Sequence, residues 1–306
     1  MANFLFRRLV SAVLTILVVS ALTFSLAFLS GDPAIAVAGK DSSAAEIARV
    51  REFYGFDRPV AEQYIDWLGK ALRGDFGRSY HYQQSVHDMI AQRLPITLGL
   101  GAAALALALA LALPLGILAS LWQGSLIDRL MLAISVVGQA MPTFWLALLL
   151  IVLFGLNLRL LPISGNSSLA HFVMPTVVLA YFAMPALMRL TRAGMIDALQ
   201  SDYIRTARSK GLSPSAVVLK HALRNVLIPI VSIAAVQLGA LLGGSIVVEQ
   251  IFALQGLGAL SYDATLRSDL PVLQAITLLV AAFYVGLTLF ADLLNAILDP
   301  RIREGW

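Results

Sequence analysis

The chain has 306 residues, 59% of them hydrophobic and only 13% charged, and its 22 Lys and Arg against 18 Asp and Glu leave a formal net charge of +4. A soluble domain has roughly a quarter of its residues charged, so this composition argues for a membrane protein, and the small positive balance gives no reason to expect nucleic acid. Cysteine is absent, which removes disulfides and thiolate metal sites, and the four histidines (His81, His87, His171 and His221) are too scattered to chelate a metal.

A membrane-crossing helix needs roughly 20 mostly apolar residues. Six stretches free of Asp, Glu, Lys and Arg meet that need: 9–31, 94–127, 130–158, 160–188, 225–248 and 270–291. The first follows Arg7 and Arg8 and precedes a small-residue pattern at Ala36–Ala38, as a secretory signal does. Its apolar run is longer than the usual signal core of about 7–15 residues, so an uncleaved first span is expected. Between spans 1 and 2, residues 31–93 carry helix signals of their own. Ser43 and Glu46 fit a capping box that starts a helix ending near Gly55. After Pro59, Val60, Tyr64, Trp67, Leu68 and Ala71 recur on one apolar face until Gly74. That face fits a helix lying on the membrane or packed on the bundle, and equally a platform for a partner.

Span 2 contains "ALALALALALPLG", which alternates with period two. Both members are apolar and favour helix, and an open strand leaves its backbone unpaired in lipid, so a helix is expected. Span 4 opens with the turn-forming "LPISGNSS", leaving about 170–188 to cross, with Pro175 and Pro185 inside. Residues 189–224 then read as helix, turn, helix. Met195, Ile196, Leu199, Tyr203 and Ala207 recur at helical intervals, Gly211 breaks the run, and Ser213-Pro214 opens a second helix. Small and apolar residues at Thr206, Ala207, Gly211 and Leu212 stand where a free loop is polar, which shapes this loop to dock into a groove. In span 5, Gly239 and Gly243 form a small-xxx-small pair that allows two helices to approach closely, and Ser232 and Gln237 are its polar residues near mid-span. Helix packing or the lining of a translocation pathway accounts for these four. Asp292, at the end of span 6, reads as a solvated helix end rather than a proton site.

Six spans place both termini on one side. Arg7, Arg8, Arg129, the seven basic residues from Arg189 to Arg224, Arg301 and Arg303 share that side, against Arg159 and Arg267 in the short loops of the other. The positive-inside rule makes the first side cytoplasmic, so both termini and the 189–224 loop are expected there and 31–93 outside. The expected organisation is all-α: residues 1–30 with span 1, an extracytoplasmic helical segment at 31–93, and a five-helix part at 94–306.

The 189–224 loop resembles the cytoplasmic coupling loop of ABC importer permeases, whose motif begins Glu-Ala and ends in a glycine. Here Arg205-Thr206-Ala207 occupy the first places, three residues precede Gly211, and the later places read His221-Ala222-Leu223-Arg224. These departures from the general motif are similar to the dipeptide, oligopeptide and nickel permeases, whose version runs much like "DYIRTARSKGL" followed by "HALRN". Further resemblances to that subfamily are "GDP" at 31–33, "YGFDRP" at 54–59, "GDFGRSY" at 74–80, "MPTFW" at 141–145, "LPISG" at 161–165, "EQIFALQGLG" at 249–258 and "DPRIR" at 299–303. The long segment after span 1 looks like the first of the two paired permeases in such systems.

The resemblance implies a type I-like importer fold with six transmembrane helices in a bacterial inner membrane. It implies a second homologous permease, two ATP-binding subunits, an extracytoplasmic substrate-binding protein and surrounding lipid, with Arg205, Thr206, Ala207, Gly211 and Leu212 as the contact to the ATPase. No G-x-x-x-x-G-K-[ST] phosphate loop occurs in the chain, so ATP hydrolysis, catalytic residues, cofactors and metals are not expected of it. Dipeptides or oligopeptides are the expected substrate, with nickel chelates, glutathione or another small solute as alternatives. A self-sufficient ion-coupled carrier is disfavoured by the lack of internal repeats and of mid-membrane ionisable groups.

Overall fold

In lipid the backbone has no water to bond to, so each apolar run must close its hydrogen bonds within itself. The computed structural model describes residues 2–29, 31–39 and 42–298, and helices account for nearly all of the long apolar runs. In chain order they are α1 (Ala2–Leu29), α2 (Pro33–Ala38), α3 (Ala44–Tyr54), α4 (Val60–Ala71), α5 (Val86–Leu121), α6 (Leu126–Ala140), α7 (Thr143–Leu150), α8 (Ala170–Leu199), α9 (Asp202–Ser209), α10 (Pro214–Ala216), α11 (Leu223–Ile251), α12 (Leu257–Leu266) and α13 (Leu270–Leu298). Two wider π-helical stretches, Ile151–Asn157 and Val217–Ala222, continue α7 and α10. The only β pairing among the described residues is an isolated bridge between Arg78 and Ser85.

Among the described residues five helices are long and apolar enough to cross a membrane, and the number is six when a bent pair is counted as one span. That pair corrects the third expected span. The run 130–158 is not one rod: Leu126–Ala140 and Thr143–Asn157 meet at 99°. The cause is Pro142, which holds the residue before it out of the helical region; Met141 sits at ψ 123°. Pro175 and Pro185, by contrast, stay inside a continuous α8, and Pro229 inside α11. Helix α5 starts at Val86, eight residues before its apolar run. The "DPRIR" segment, with Arg301 and Arg303, lies outside the described residues.

The chain forms two compact units: one holds Leu98–Leu254 and the chain from Leu287, the other Ala2–Thr97 and Gln255–Gly286. In the second unit the expected capping box is present: Ser43 Oγ accepts from Glu46 N at 3.3 Å and Glu46 Oε2 accepts from Ser43 N at 2.8 Å. The apolar face of α4 is packed on α1, where Phe24 lies 5.5 Å from Tyr64 and 5.8 Å from Trp67 between ring centroids. Tyr64 Oη also meets Ser20 Oγ at 2.8 Å. A core forms from Val86, Met89 and Ile90 of α5, Leu257, Leu260 and Ala264 of α12, and Val272, Ala275 and Ile276 of α13. Buried Asp269 staples the 79–80 turn to it, accepting from Ser79 Oγ and, at 3.1 Å, from Tyr80 N. Burial first, then the neighbouring Tyr54 and Asp269, push the Tyr80 phenol well above its ordinary range.

In the first unit α8 is the central element, packed on α6, α7 and α11. Close approach depends on glycine: a Cβ at Gly116 of α5 would lie 2.6 Å from Thr191 Cβ, and one at Gly194 of α8 would lie 2.9 Å from Val226 of α11.

Candidate functional site

The 189–224 loop is built from α8, α9 and α10 in succession. Helix α8 ends at Leu199, and Ser201 in extended backbone precedes α9. The sequence pattern carried a single helix from Met195 to Ala207; the break at Gln200 and Ser201 was signalled only by the turn-prone Ser201-Asp202 pair. Gly211 ends α9 in a Schellman arrangement, with Gly211 N donating to Arg208 O at 2.9 Å and Leu212 N to Ala207 O at 3.4 Å. Its φ of +76° is a left-handed conformation that glycine adopts without strain. Ser213 then caps α10, its Oγ accepting from Ala216 N at 3.4 Å, with Pro214 in the first position.

Helix α9 divides the expected contact residues between two faces. Ile204 and Ala207 are buried inside this chain, whereas Arg205, Thr206, Gly211 and Leu212 are exposed. Ala207 is therefore a packing residue of the loop itself. Tyr203, Leu212 and Leu219 are exposed apolar groups among exposed cations. Arg205 pairs with Asp202 at 3.3 Å, but both are open to solvent and such a pair adds little. Arg208, Lys210, Lys220 and Arg224 have no ion pair among the described residues. The outer face is thus cationic and partly apolar, on a frame closed by its own caps.

A feature absent from the sequence reading lies beside the loop. Asp128 of α6 is 3% exposed and accepts from Arg192 of α8 through both oxygens, Oδ1 from Nε at 2.6 Å and Oδ2 from Nη2 at 2.7 Å. Gly124 N donates to the same carboxylate at 2.9 Å. One turn earlier on α8, Arg189 Nη1 donates to buried Ser135 Oγ at 3.0 Å, and that hydroxyl donates to Pro185 O at 3.4 Å. Asp128 is buried and Arg192 half-buried, so the pair is only partly shielded from solvent. No local pattern signals a pairing across 64 residues.

On α11 the four expected pathway residues also separate. Gly239 is buried, Ser232 and Gln237 are half-buried, and Gly243 is exposed with no atom within 4 Å of where its Cβ would stand. Ser232 Oγ donates back to Ile228 O at 3.3 Å. The face carrying Ala240, Gly243, Gly244 and Val247 is open along about two turns.

Residues 112–304 match the family described as "Binding-protein-dependent transport system inner membrane component", and residues 1–101 match the N-terminal part of such membrane components. Over 304 residues the chain is 40% identical to proteins named "Glutathione transport system permease protein GsiC" in Escherichia coli (strain K12) and Shigella dysenteriae serotype 1 (strain Sd197), covering 99% of each chain. Two inward-facing crystal forms of the MetNI methionine ABC transporter align with TM-scores of 0.55 and 0.56 at 20% identity, over 69% of this chain and 96% of theirs. At that identity the likeness is one of fold.

Proposed function

We propose, from the premise that this chain belongs to the family of binding-protein-dependent transport system inner-membrane components and is the permease subunit of an ABC importer, that it imports short peptides, glutathione included. Its partners are a second homologous permease, two ATP-binding subunits and an extracytoplasmic binding protein. ATP is hydrolysed by the partner subunits, and this chain converts their movement into alternating access. Family membership sets aside the ion-coupled carrier.

The observation that carries the coupling role is the two-faced α9. Ile204 and Ala207 anchor it inward, and Arg205, Thr206, Gly211 and Leu212 present a compact surface outward. On α11 the pathway lining is Ser232, Gln237 and Gly243, with buried Gly239 one turn before Gly243 on the same face. Alternating access needs two packings of similar energy that the bound partners bias differently. The name of the 40%-identical relatives supports glutathione beside dipeptides and oligopeptides as substrate.

Both termini and the 189–224 loop are cytoplasmic in this reading, and the 31–93 segment is extracytoplasmic. The cysteine-free chain makes the orientation measurable. Leu72 is 81% exposed, so a Leu72→Cys variant reacts with a membrane-impermeant thiol reagent in sealed spheroplasts, and Thr206→Cys reacts only after lysis. Ser79, though it lies in the same segment, is buried and unsuited to this test. The reverse labelling pattern overturns the topology. For coupling, Thr206→Trp in the assembled importer leaves the loop folded and blocks the outer face, so binding-protein-stimulated ATP hydrolysis and uptake both fall. Full stimulation in that variant sinks the docking assignment.

A further inference from the structure

We propose that the Asp128–Arg192 pair is a two-way mechanical tie that makes α6 follow α8 through the transport cycle, so that both residues act as positioning residues for coupling. The inference rests on the reading of α9 as the coupling loop. Its physical ground is a difference between kinds of contact. Where α6 packs on α8, a Cβ at Gly138 would lie 3.2 Å from Pro185 and from Tyr181, a contact that resists compression, but dispersion contacts are individually weak and lose about a quarter to a half of their attraction over a gap of about 0.5–1 Å. Such contacts resist a push more stiffly than a pull. A bidentate carboxylate–guanidinium pair is held in both directions and in one orientation.

Its placement suits that task. Arg192 lies on α8 seven residues before its end at Leu199, so a displacement of α9 reaches it across the short Gln200–Ser201 break and then along two turns of helix. Asp128 lies in the first turn of α6, and its bond from Gly124 N fastens the α5–α6 turn at the same point. The Arg189–Ser135 bond adds a second rung two turns further along α6. Replacing a buried ion pair by apolar side chains of similar volume is often neutral or stabilising. A carboxylate in the first turn of α6 stabilises that helix end by itself, but the two-point pairing with Arg192 adds a directional link that capping does not require.

The test uses the assembled importer with its ATPase subunits and binding protein. Asp128→Asn and Arg192→Gln are expected to keep the permease in the membrane, its ATPase subunits bound and basal hydrolysis intact. Binding-protein stimulation and uptake should fall roughly tenfold or more, the scale of a coupling free energy between sites. If either single variant does not accumulate, Arg192→Lys keeps the charge but loses the fork, and an intermediate loss of stimulation is expected. Asp128→Cys with Arg192→Cys restores stimulation once bridged by a reducible bifunctional thiol reagent, and reduction abolishes the gain. Recovery on bridging in a variant whose assembly and basal hydrolysis never fell separates transmission from a role in folding. Normal coupling in the single variants, or no recovery on bridging in a complex that is still assembled, overturns the tie. Thr206→Trp separates the two readings: if it uncouples while Asp128→Asn does not, the tie fails and the coupling loop stands; if Thr206→Trp couples normally, the loop assignment fails first.

Discussion

Helices α9 and α4 are both short and amphipathic, yet they are held by opposite chemistry. Two buried side chains, Ile204 and Ala207, and the backbone cap at Gly211 hold α9, and the rest of its surface is open. Helix α4 is fixed by ring contacts with Phe24 and by the Ser20–Tyr64 bond, and the chain beyond it is stapled to buried Asp269. A helix on a thin apolar face can be re-seated by a partner without breaking a buried polar bond. One locked by ring packing and a hydroxyl bond to buried Ser20, with the chain after it stapled to a buried carboxylate, cannot. The contrast separates an adaptable surface from a fixed one.

The largest effect expected on this contrast is at the staple. Asp269→Ala leaves the Ser79 hydroxyl and the Tyr80 N–H without their acceptor, at about 1–3 kcal/mol for each buried orphan. Thermal unfolding in detergent should show the loss, and a variant that melts like the parent would remove the distinction between the two helices. Next comes the inner face of α9. Ala207→Trp overpacks it by about 1–3 kcal/mol and should expose the loop to limited proteolysis, whereas Thr206→Trp leaves the cleavage pattern unchanged. Equal sensitivity of the two variants would mean that α9 has no inner face.

A pair of glycines gives smaller effects of opposite sign. Gly211→Ala places a Cβ in left-handed backbone, at about 1–2 kcal/mol. Gly69 lies inside α4 with open space around it, so Gly69→Ala gains about 1 kcal/mol of helix propensity. Melting temperatures should move in opposite directions. The smallest effect is a dependence on pH. Burial alone would raise the Asp263 carboxyl, but the bonds from Tyr82 and Arg267 and the nearby charges of Arg267 and His81 hold it below its ordinary value. A depressed carboxyl contributes stability above its unfolded value, and that contribution is lost as the pH falls through the folded one. Acid titration of thermal stability should show this component, and Asp263→Asn should remove it; an unchanged slope would detach Asp263 from the fixed region.

The apolar runs were legible because lipid forbids an unsatisfied backbone, so a long run without charge has one solution. Local caps were legible for a similar reason: Ser43 with Glu46, and Gly211 before Ser213-Pro214, each act within a few residues. Pro142 stood inside a run read as one rod, yet Pro175 and Pro185 in α8 are tolerated; the proline alone does not say whether neighbouring helices will hold the axis straight. Asp128–Arg192 and Ser79–Asp269 join positions 64 and 190 residues apart, so only the tertiary fold brings them together. Ala207 was read as a docking residue because small size fits either a partner's groove or the chain's own interior. The facing direction decides, and sequence spacing across a broken helix does not carry it.

The bend at Pro142 also has a consequence for the lipid. Fifteen residues of α6 make a rod of about 22 Å, and the second arm, Thr143–Asn157, has the same number. Neither arm alone reaches across a hydrocarbon layer of about 30 Å, and an angle of 99° prevents them from adding end to end. Thinning of the bilayer beside this corner, or oligomerisation that covers it, are the ways such a mismatch is met. Membranes of shorter-chain lipids relieve that deformation and thicker ones increase it, which makes bilayer thickness itself a variable to which this corner of the protein responds.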